Sequence, residues 1–205
     1  ITIGDWSSDV CSSDLPILEF KIVIIGSVAV GKTALTNRIQ YAQFEEEYQA
    51  TIGAGYVPYR TNYEGQDVEL QIWDTAGMER YKSLGPIYYR EAVAAIIVYD
   101  QTEQDSANDV SKWLDSFRAI VKTPAYIVIV GNKDDLDNKV VSNKNMEDWA
   151  KENNFDFFLT SAKTGKNVNE LFTSVVKHLV KSRSVETTTT QKLNEAQTNQ
   201  NAGCC

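Results

Sequence analysis

The run Gly26-Ser27-Val28-Ala29-Val30-Gly31-Lys32-Thr33 fits the pattern G-x-x-x-x-G-K-[ST]. It constrains the fold more than any other stretch, because such a loop works only between a β-strand and a helix. Both flanks suit that context: a β-rich run, Phe20-Lys21-Ile22-Val23-Ile24-Ile25, precedes it, and a helix-compatible stretch follows to about Gln40. The glycines let the backbone curl so that successive N–H groups converge on phosphate oxygens. The helix terminus adds partial positive charge, the Lys32 ammonium would stabilise β- and γ-phosphates, and the Thr33 hydroxyl would ligate Mg²⁺. Alone, this loop implies a nucleotide without saying which.

The remaining pattern implies an α/β domain. Gly55–Asn62 and Asp67–Trp73 carry β-branched and aromatic residues around Tyr63-Glu64-Gly65-Gln66, as an antiparallel hairpin does. Ala94–Tyr99, Tyr126–Val130 and Asp156–Leu159 are apolar runs between helix-like segments, which fits strands buried on both faces of a mainly parallel sheet. Val168, Leu171, Phe172, Val175, Val176 and Leu179 recur at helical spacing and predict an amphipathic helix over 168–183. From Ser184 onward the chain is mostly Thr, Gln, Asn and Glu, which predicts a flexible tail ending in Gly203-Cys204-Cys205. Residues 1–15, with Ser7-Ser8-Asp9 recurring as Ser12-Ser13-Asp14, lack the basic start of a signal peptide. They read as a tag or sequencing artefact, or else as a disordered arm. The expected organisation is thus a stretch over 1–16, one globular domain over 17–183 and a tail over 184–205.

Charge and cysteine usage narrow the function classes. A formal net charge of −8 argues against nucleic-acid binding, which depends on phosphate attraction. The longest apolar run, Ala92 to Tyr99, is far too short to span a bilayer. Of three cysteines, Cys11 is isolated and two are adjacent, which provides no disulfide framework and fits a cytosolic setting.

The base is addressed by a second element. Asn132-Lys133-Asp134-Asp135 follows a strand and Gly131, which places it at the carboxyl edge of the sheet, where nucleotides bind. One carboxylate there offers two acceptors to the adjacent N1 and N2 donors of guanine, a pair that adenine lacks. By spacing, Asp135 would be that acceptor. Here the sequence resembles the small GTPases of the Ras superfamily, whose Asn-Lys-x-Asp element is matched by Asn132, Lys133 and Asp135, and whose Ser-Ala-Lys element is matched by Ser161, Ala162 and Lys163.

The resemblance extends through Trp73-Asp74-Thr75-Ala76-Gly77. It implies that Asp74 holds a magnesium-bound water and that the Gly77 N–H meets the γ-phosphate. It also implies that Phe44 packs against guanine and that Thr51 is a further Mg²⁺ ligand. Lys32, Thr51 and Gly77 would then act in hydrolysis. Ala50-Thr51-Ile52-Gly53, Leu70-Gln71-Ile72-Trp73-Asp74, Glu79-Arg80-Tyr81-Lys82-Ser83-Leu84 and Tyr88-Tyr89-Arg90 look like Rab segments, although Ile52-Gly53-Ala54-Gly55-Tyr56 has Gly where Rabs usually have Asp. In that family Ile52, Tyr56, Trp73 and Tyr81 would meet effectors. Cys204 and Cys205 would carry two geranylgeranyl groups.

The resemblance therefore implies a P-loop fold with a six-stranded sheet, one antiparallel hairpin strand and helices on both faces. It implies GTP/GDP and Mg²⁺ as cofactors, and a switch that exchange factors, GTPase-activating proteins, an escort protein (GDI) and effectors address. The setting would be the cytosolic face of endomembrane vesicles, with a soluble pool. Two residues depart at the chemistry. The position after Ala-Gly, usually a Gln that positions the attacking water, is Met78, and Val28 stands where Gly or Ser is usual. Both act against hydrolysis, so turnover should be slow. A GTP-locked scaffold that no longer cycles is the alternative. An ATP-dependent small-molecule kinase would share the phosphate loop but not Asn-Lys-x-Asp.

Overall fold

The computed structural model describes residues 16–46, 51, 53–75 and 85–200, except for the side chains of 85–86 and 185–200. Six strands form one sheet in the order β2-β3-β1-β4-β5-β6. They are β1 (Leu18–Ile25), β2 (Ala54–Tyr63), β3 (Gln66–Thr75), β4 (Ala94–Asp100), β5 (Tyr126–Asn132) and β6 (Asp156–Leu159). Only the β2–β3 pair is antiparallel. Its turn is Glu64-Gly65, with φ of 51° and 83°, the left-handed pair that a tight hairpin requires. The helices are α1 (Lys32–Tyr41), α2 (Gly85–Tyr89), α3 (Gln104–Asn108), α4 (Val110–Ile120), α5 (Asn143–Glu152) and α6 (Val168–Gln200).

The central strands are apolar throughout because both faces are covered, and alternation sorts their side chains into two layers. Phe20, Ile22 and Ile24, with Ala94, Ile96, Val98, Val128 and Val130, join Leu35 of α1 and Leu171, Phe172 and Val175 of α6 in one cluster. Val23, Ile25, Ala95, Ile97, Tyr99, Ile127 and Ile129 point the other way, onto Trp113, Leu114 and Phe117 of α4 and Ala150 of α5. Helices on both faces of a mixed sheet with one antiparallel pair match the fold expected from the sequence.

The last helix departs from expectation. Among its described side chains the last buried one is Leu179, yet the helix continues past Arg183 to Gln200, where the sequence predicts a flexible tail. A helix already nucleated by packing needs only elongation, and Glu186, Gln191, Lys192, Leu193, Glu195, Ala196 and Gln197 are acceptable helix formers. The composition argument overlooks propagation from a packed template. No helix among the described residues is long and apolar enough to cross a membrane.

Candidate functional site

Five parallel strands bring their carboxyl ends to one edge, and nearly every described site residue expected from the sequence lies there. The first loop leaves β1 at Gly26 and enters α1 at Lys32. Lys32 is only 6% exposed, and its ammonium turns back to donate to the Gly26 carbonyl at 2.9 Å and the Ser27 carbonyl at 2.7 Å. Burial lowers its pKa to about 8, against the opposing pull of Asp74. A lysine desolvated to that degree gains most from an anion placed beside it. Ser27 is fixed from α4 and the residue preceding it: its hydroxyl donates to Asp109 Oδ2 at 3.4 Å and accepts from the Trp113 indole N–H at 3.3 Å. Val28 is half-buried and Ala29 exposed, the latter in the left-handed region at φ 59°.

Asp74, near the end of β3, is buried, with Oδ2 accepting from the Thr33 hydroxyl at 2.6 Å. Its Oδ1 has no hydrogen-bond partner among the described residues. Burial raises the Asp74 pKa, while the Thr33 bond and the Lys32 charge oppose the rise. Thr33 and Thr51 bring their hydroxyls within 2.8 Å of each other. A carboxylate with a spare buried oxygen beside two hydroxyls is a hard-oxygen set, the donor chemistry Mg²⁺ uses when it retains waters and phosphate oxygens as its other ligands. No group of three or more His, Cys, Asp or Glu suited to a metal occurs among the described residues. The set here, one carboxylate and two hydroxyls, is of a different kind.

Beyond the phosphate loop, the loops after β5 and β6 lie side by side. Asn132 is the hinge between all three loops: its amide donates to the Val30 carbonyl at 2.9 Å, and its oxygen accepts from Thr160 Oγ1 and the Ala162 N–H, both at 3.2 Å. Lys133, at φ 64°, pairs with Asp100 Oδ2 at 2.6 Å. Asp135 Oδ1 accepts from the Ser161 hydroxyl at 2.6 Å, so the expected base acceptor and the Ser-Ala-Lys element meet directly. Asp135's second oxygen is not engaged by that bond.

A model of the Ras family matches residues 21–181. The chain belongs to the Ras family. It is therefore a GTP-binding small GTPase.

Several ties were not anticipated from the sequence. Arg38, in the last turn of α1, donates through Nε to the Ala162 carbonyl at 2.7 Å and through Nη2 to the Lys163 carbonyl at 2.5 Å. It thereby holds the Ser-Ala-Lys loop against α1. Lys163 itself pairs with Glu46 at 3.0 Å. Phe44 is half-buried and packs on the cluster shared by α1 and α6. Tyr56 is 48% exposed and meets half-buried Trp73 edge to face, with centroids 5.8 Å apart. Tyr88 also meets Trp73, with centroids 5.8 Å apart, and Ile87 beside it in sequence is exposed. Ile52, Gly77, Met78, Tyr81, Cys204 and Cys205 lie outside the described residues. The opposite edge of the sheet carries a separate cleft lined by Phe20, Val93, Phe117, Tyr126 and Leu179, and none of the predicted site residues line it.

Proposed function

We propose that this Ras-family chain is a membrane-anchored switch of the Rab kind, whose GTP form recruits effectors and whose own hydrolysis is slow. The observation that carries the nucleotide part lies at one edge: buried Lys32 makes no ion pair among the described residues and spends its ammonium on two carbonyls, with Asp74 the charge acting on it, and one oxygen of Asp74 has no hydrogen-bond partner among the described residues. A Mg²⁺-bound nucleotide triphosphate relieves both. In this reading the backbone of Gly26–Thr33 and the Lys32 ammonium cradle the phosphates, Thr33 and Thr51 ligate Mg²⁺, and Asp74 holds it through water. The ion's contribution is to neutralise phosphate charge. Phe44 covers the base, Asp135 selects guanine, and Asn132, Lys133, Ser161, Ala162 and Lys163 shape the base loops. The Gly77 N–H meets the γ-phosphate.

Hydrolysis would then depend on orienting a water, because phosphoryl transfer is mostly positioning and charge stabilisation. Met78 offers a thioether and no N–H or carbonyl for that task, and Val28 adds branched bulk in the phosphate loop. Single-turnover hydrolysis should rise at least about tenfold in Met78→Gln, and further with Val28→Ser added; the two effects need not add if both side chains address the same water. An unchanged rate in Met78→Gln would mean that another residue positions the water. No measurable turnover in either variant, with or without an activating protein, would favour the non-cycling scaffold.

The aromatic surface of exposed Tyr56 with half-buried Trp73 and Tyr88 supports effector docking, since aromatic side chains supply contact area at low entropic cost; Ile52 and Tyr81 would extend it. Exchange factors, activating proteins and an escort protein complete the proposed partners. Cys204 and Cys205 are proposed to carry two geranylgeranyl groups that hold the protein on the cytosolic face of endomembranes, with a soluble pool. By analogy with acyl chains, one lipid anchors only marginally. Within 184–205 Lys192 is the only basic residue, with Glu186 and Glu195 nearby in sequence, so attraction to anionic lipid would help little. Changing both cysteines to Ser should leave the protein soluble with nucleotide binding intact. Sedimentation of that variant with membranes after a salt wash would exclude the anchor.

A further inference from the structure

The parallel ladder between β5 and β6 ends at Gly131 opposite Leu159, with one more bond from the Thr160 N–H to the Gly131 carbonyl at 2.8 Å. Past that point the two base loops are joined mainly by side chains. Asn132 ties them on the phosphate side and Asp135 ties them at the base, through the bonds already described. Asp134 lies between these two, and neither the motif nor the proposed chemistry uses it. Its N–H donates to the Thr160 carbonyl at 2.9 Å. Its side chain is only 6% exposed. Oδ1 accepts from Lys139 Nζ at 2.6 Å and Oδ2 from Lys166 Nζ. Lys139 belongs to the segment between β5 and α5, and Lys166 to the loop between β6 and α6, so one carboxylate closes a link between both loops.

Burial alone pushes the Asp134 carboxyl up, but hydrogen bonds and charge from Lys139 and Lys166 outweigh it and hold the group below the ordinary range. The carboxylate is therefore ionised throughout the neutral range and available to both lysines. The neighbouring Asp135 must present two oxygens to two donors on one edge of a base, a task that tolerates displacements of only about 0.5 Å.

We propose that Asp134 is a positioning residue for base recognition: with Lys139 and Lys166 it forms an ionic clasp that holds the loop carrying Asp135 in register with the loop carrying Ser161, Ala162 and Lys163. The clasp sets how long the guanine nucleotide stays bound and how well it is told from close analogues. It rests on the reading of Asp135 as the guanine acceptor. Because Lys139 and Lys166 keep 32% and 57% of their side chains exposed, the clasp is open to screening. Raising salt from about 0.1 M to about 1 M shortens the Debye length from about 10 Å to about 3 Å and should loosen it.

The test uses the full chain loaded with GDP bearing a fluorescent group on the ribose, chased with excess GDP in the presence of Mg²⁺. Release from Asp134→Asn should be about tenfold faster than from the unsubstituted protein and should lose most of its dependence on salt. Inosine diphosphate lacks the N2 amine, so a loosened Asp135 should also shrink the ratio of GDP to inosine diphosphate affinity, by about threefold or more. That ratio would not move if the substitution merely destabilised the domain. Lys166→Met and Lys139→Met should show intermediate effects, and Asp134→Asn with Lys166→Met should release no faster than Asp134→Asn alone. If Asp134→Asn does not fold, Lys166→Met, an exposed position, carries the same comparison. Release within twofold of the unsubstituted protein, or faster release with an unchanged affinity ratio, overturns the clasp. Asp135→Asn separates the two ideas. If it leaves guanine preference intact, the base reading itself fails; if it removes that preference while Asp134→Asn does not weaken it, only the clasp fails.

Discussion

Replacing Asp135 with Asn should turn a guanine-selective site into one that prefers xanthine nucleotides. The carboxylate accepts from the Ser161 hydroxyl through Oδ1, and an amide carbonyl can accept the same bond, so the loop keeps its local tie. What changes is the outward group. A carboxylate presents acceptors to the N1 and N2 donors of guanine, whereas an amide NH₂ meets the N2 amine as donor against donor. Xanthine carries a carbonyl at that position and restores the complement. Hydrogen bonds to charged groups contribute about 1.5–3 kcal/mol each, so losing the one to the N2 amine and setting donor against donor there should weaken GDP binding by at least about 10–10²-fold, at about 1.4 kcal/mol per factor of ten. Competition between labelled GDP and xanthosine diphosphate measures the inversion directly. A variant that still prefers GDP would show that Asp135 does not read the base. Adenine nucleotides should bind weakly to both forms, since adenine lacks the donor pair at that edge.

The contrast between what the sequence reveals and what it hides follows from where each constraint acts. The central strands are readable because both faces of the sheet are covered there, so Ile22 to Ile25 and Ala94 to Tyr99 appear as unbroken apolar runs. The phosphate loop is readable because few side chains fit a backbone that must curl toward an anion and then start a helix. Arg38, Asp134 and Lys166 are not readable, because their roles depend on contacts between segments far apart in sequence. The Arg38 bond to Lys163 spans 125 positions, and no local periodicity encodes it. Tyr88 joins the Trp73 surface for the same reason. The break between α3 and α4, at Asn108–Val110, has no Gly or Pro to mark it. The extension of α6 is hidden in another way, since its sequence has no packing face and its helicity is inherited from the packed turns before it.

The smallest side chain in the site should produce the second large effect. Gly31 sits at φ +97°, and a Cβ built on it would fall 2.2 Å from Asn132 Nδ2. Gly31→Ala therefore has two costs. The left-handed backbone disfavours any L side chain by about 1–2 kcal/mol. The displaced Asn132 amide would also lose its bond to the Val30 carbonyl and disturb those from Thr160 and Ala162. Each buried polar group left unpaired there costs about 1–3 kcal/mol. Because Asn132 joins the phosphate loop to both base loops, the damage reaches the nucleotide from two sides. GDP affinity should fall about 100-fold or more, since about 3 kcal/mol corresponds to two factors of ten. Gly65 provides the control. It also has a positive φ, +83°, but an added Cβ there meets nothing within 4 Å, and it lies in the β2–β3 turn away from the site. Gly65→Ala should thus lower unfolding stability by about 1–2 kcal/mol and leave GDP affinity unchanged. Calorimetric titration with GDP and denaturant unfolding of both variants without nucleotide separate the two contributions. If Gly31→Ala binds GDP within threefold of the unsubstituted protein, Asn132 can move without cost. The link it makes between the phosphate loop and the base loops would then not be what holds the site together.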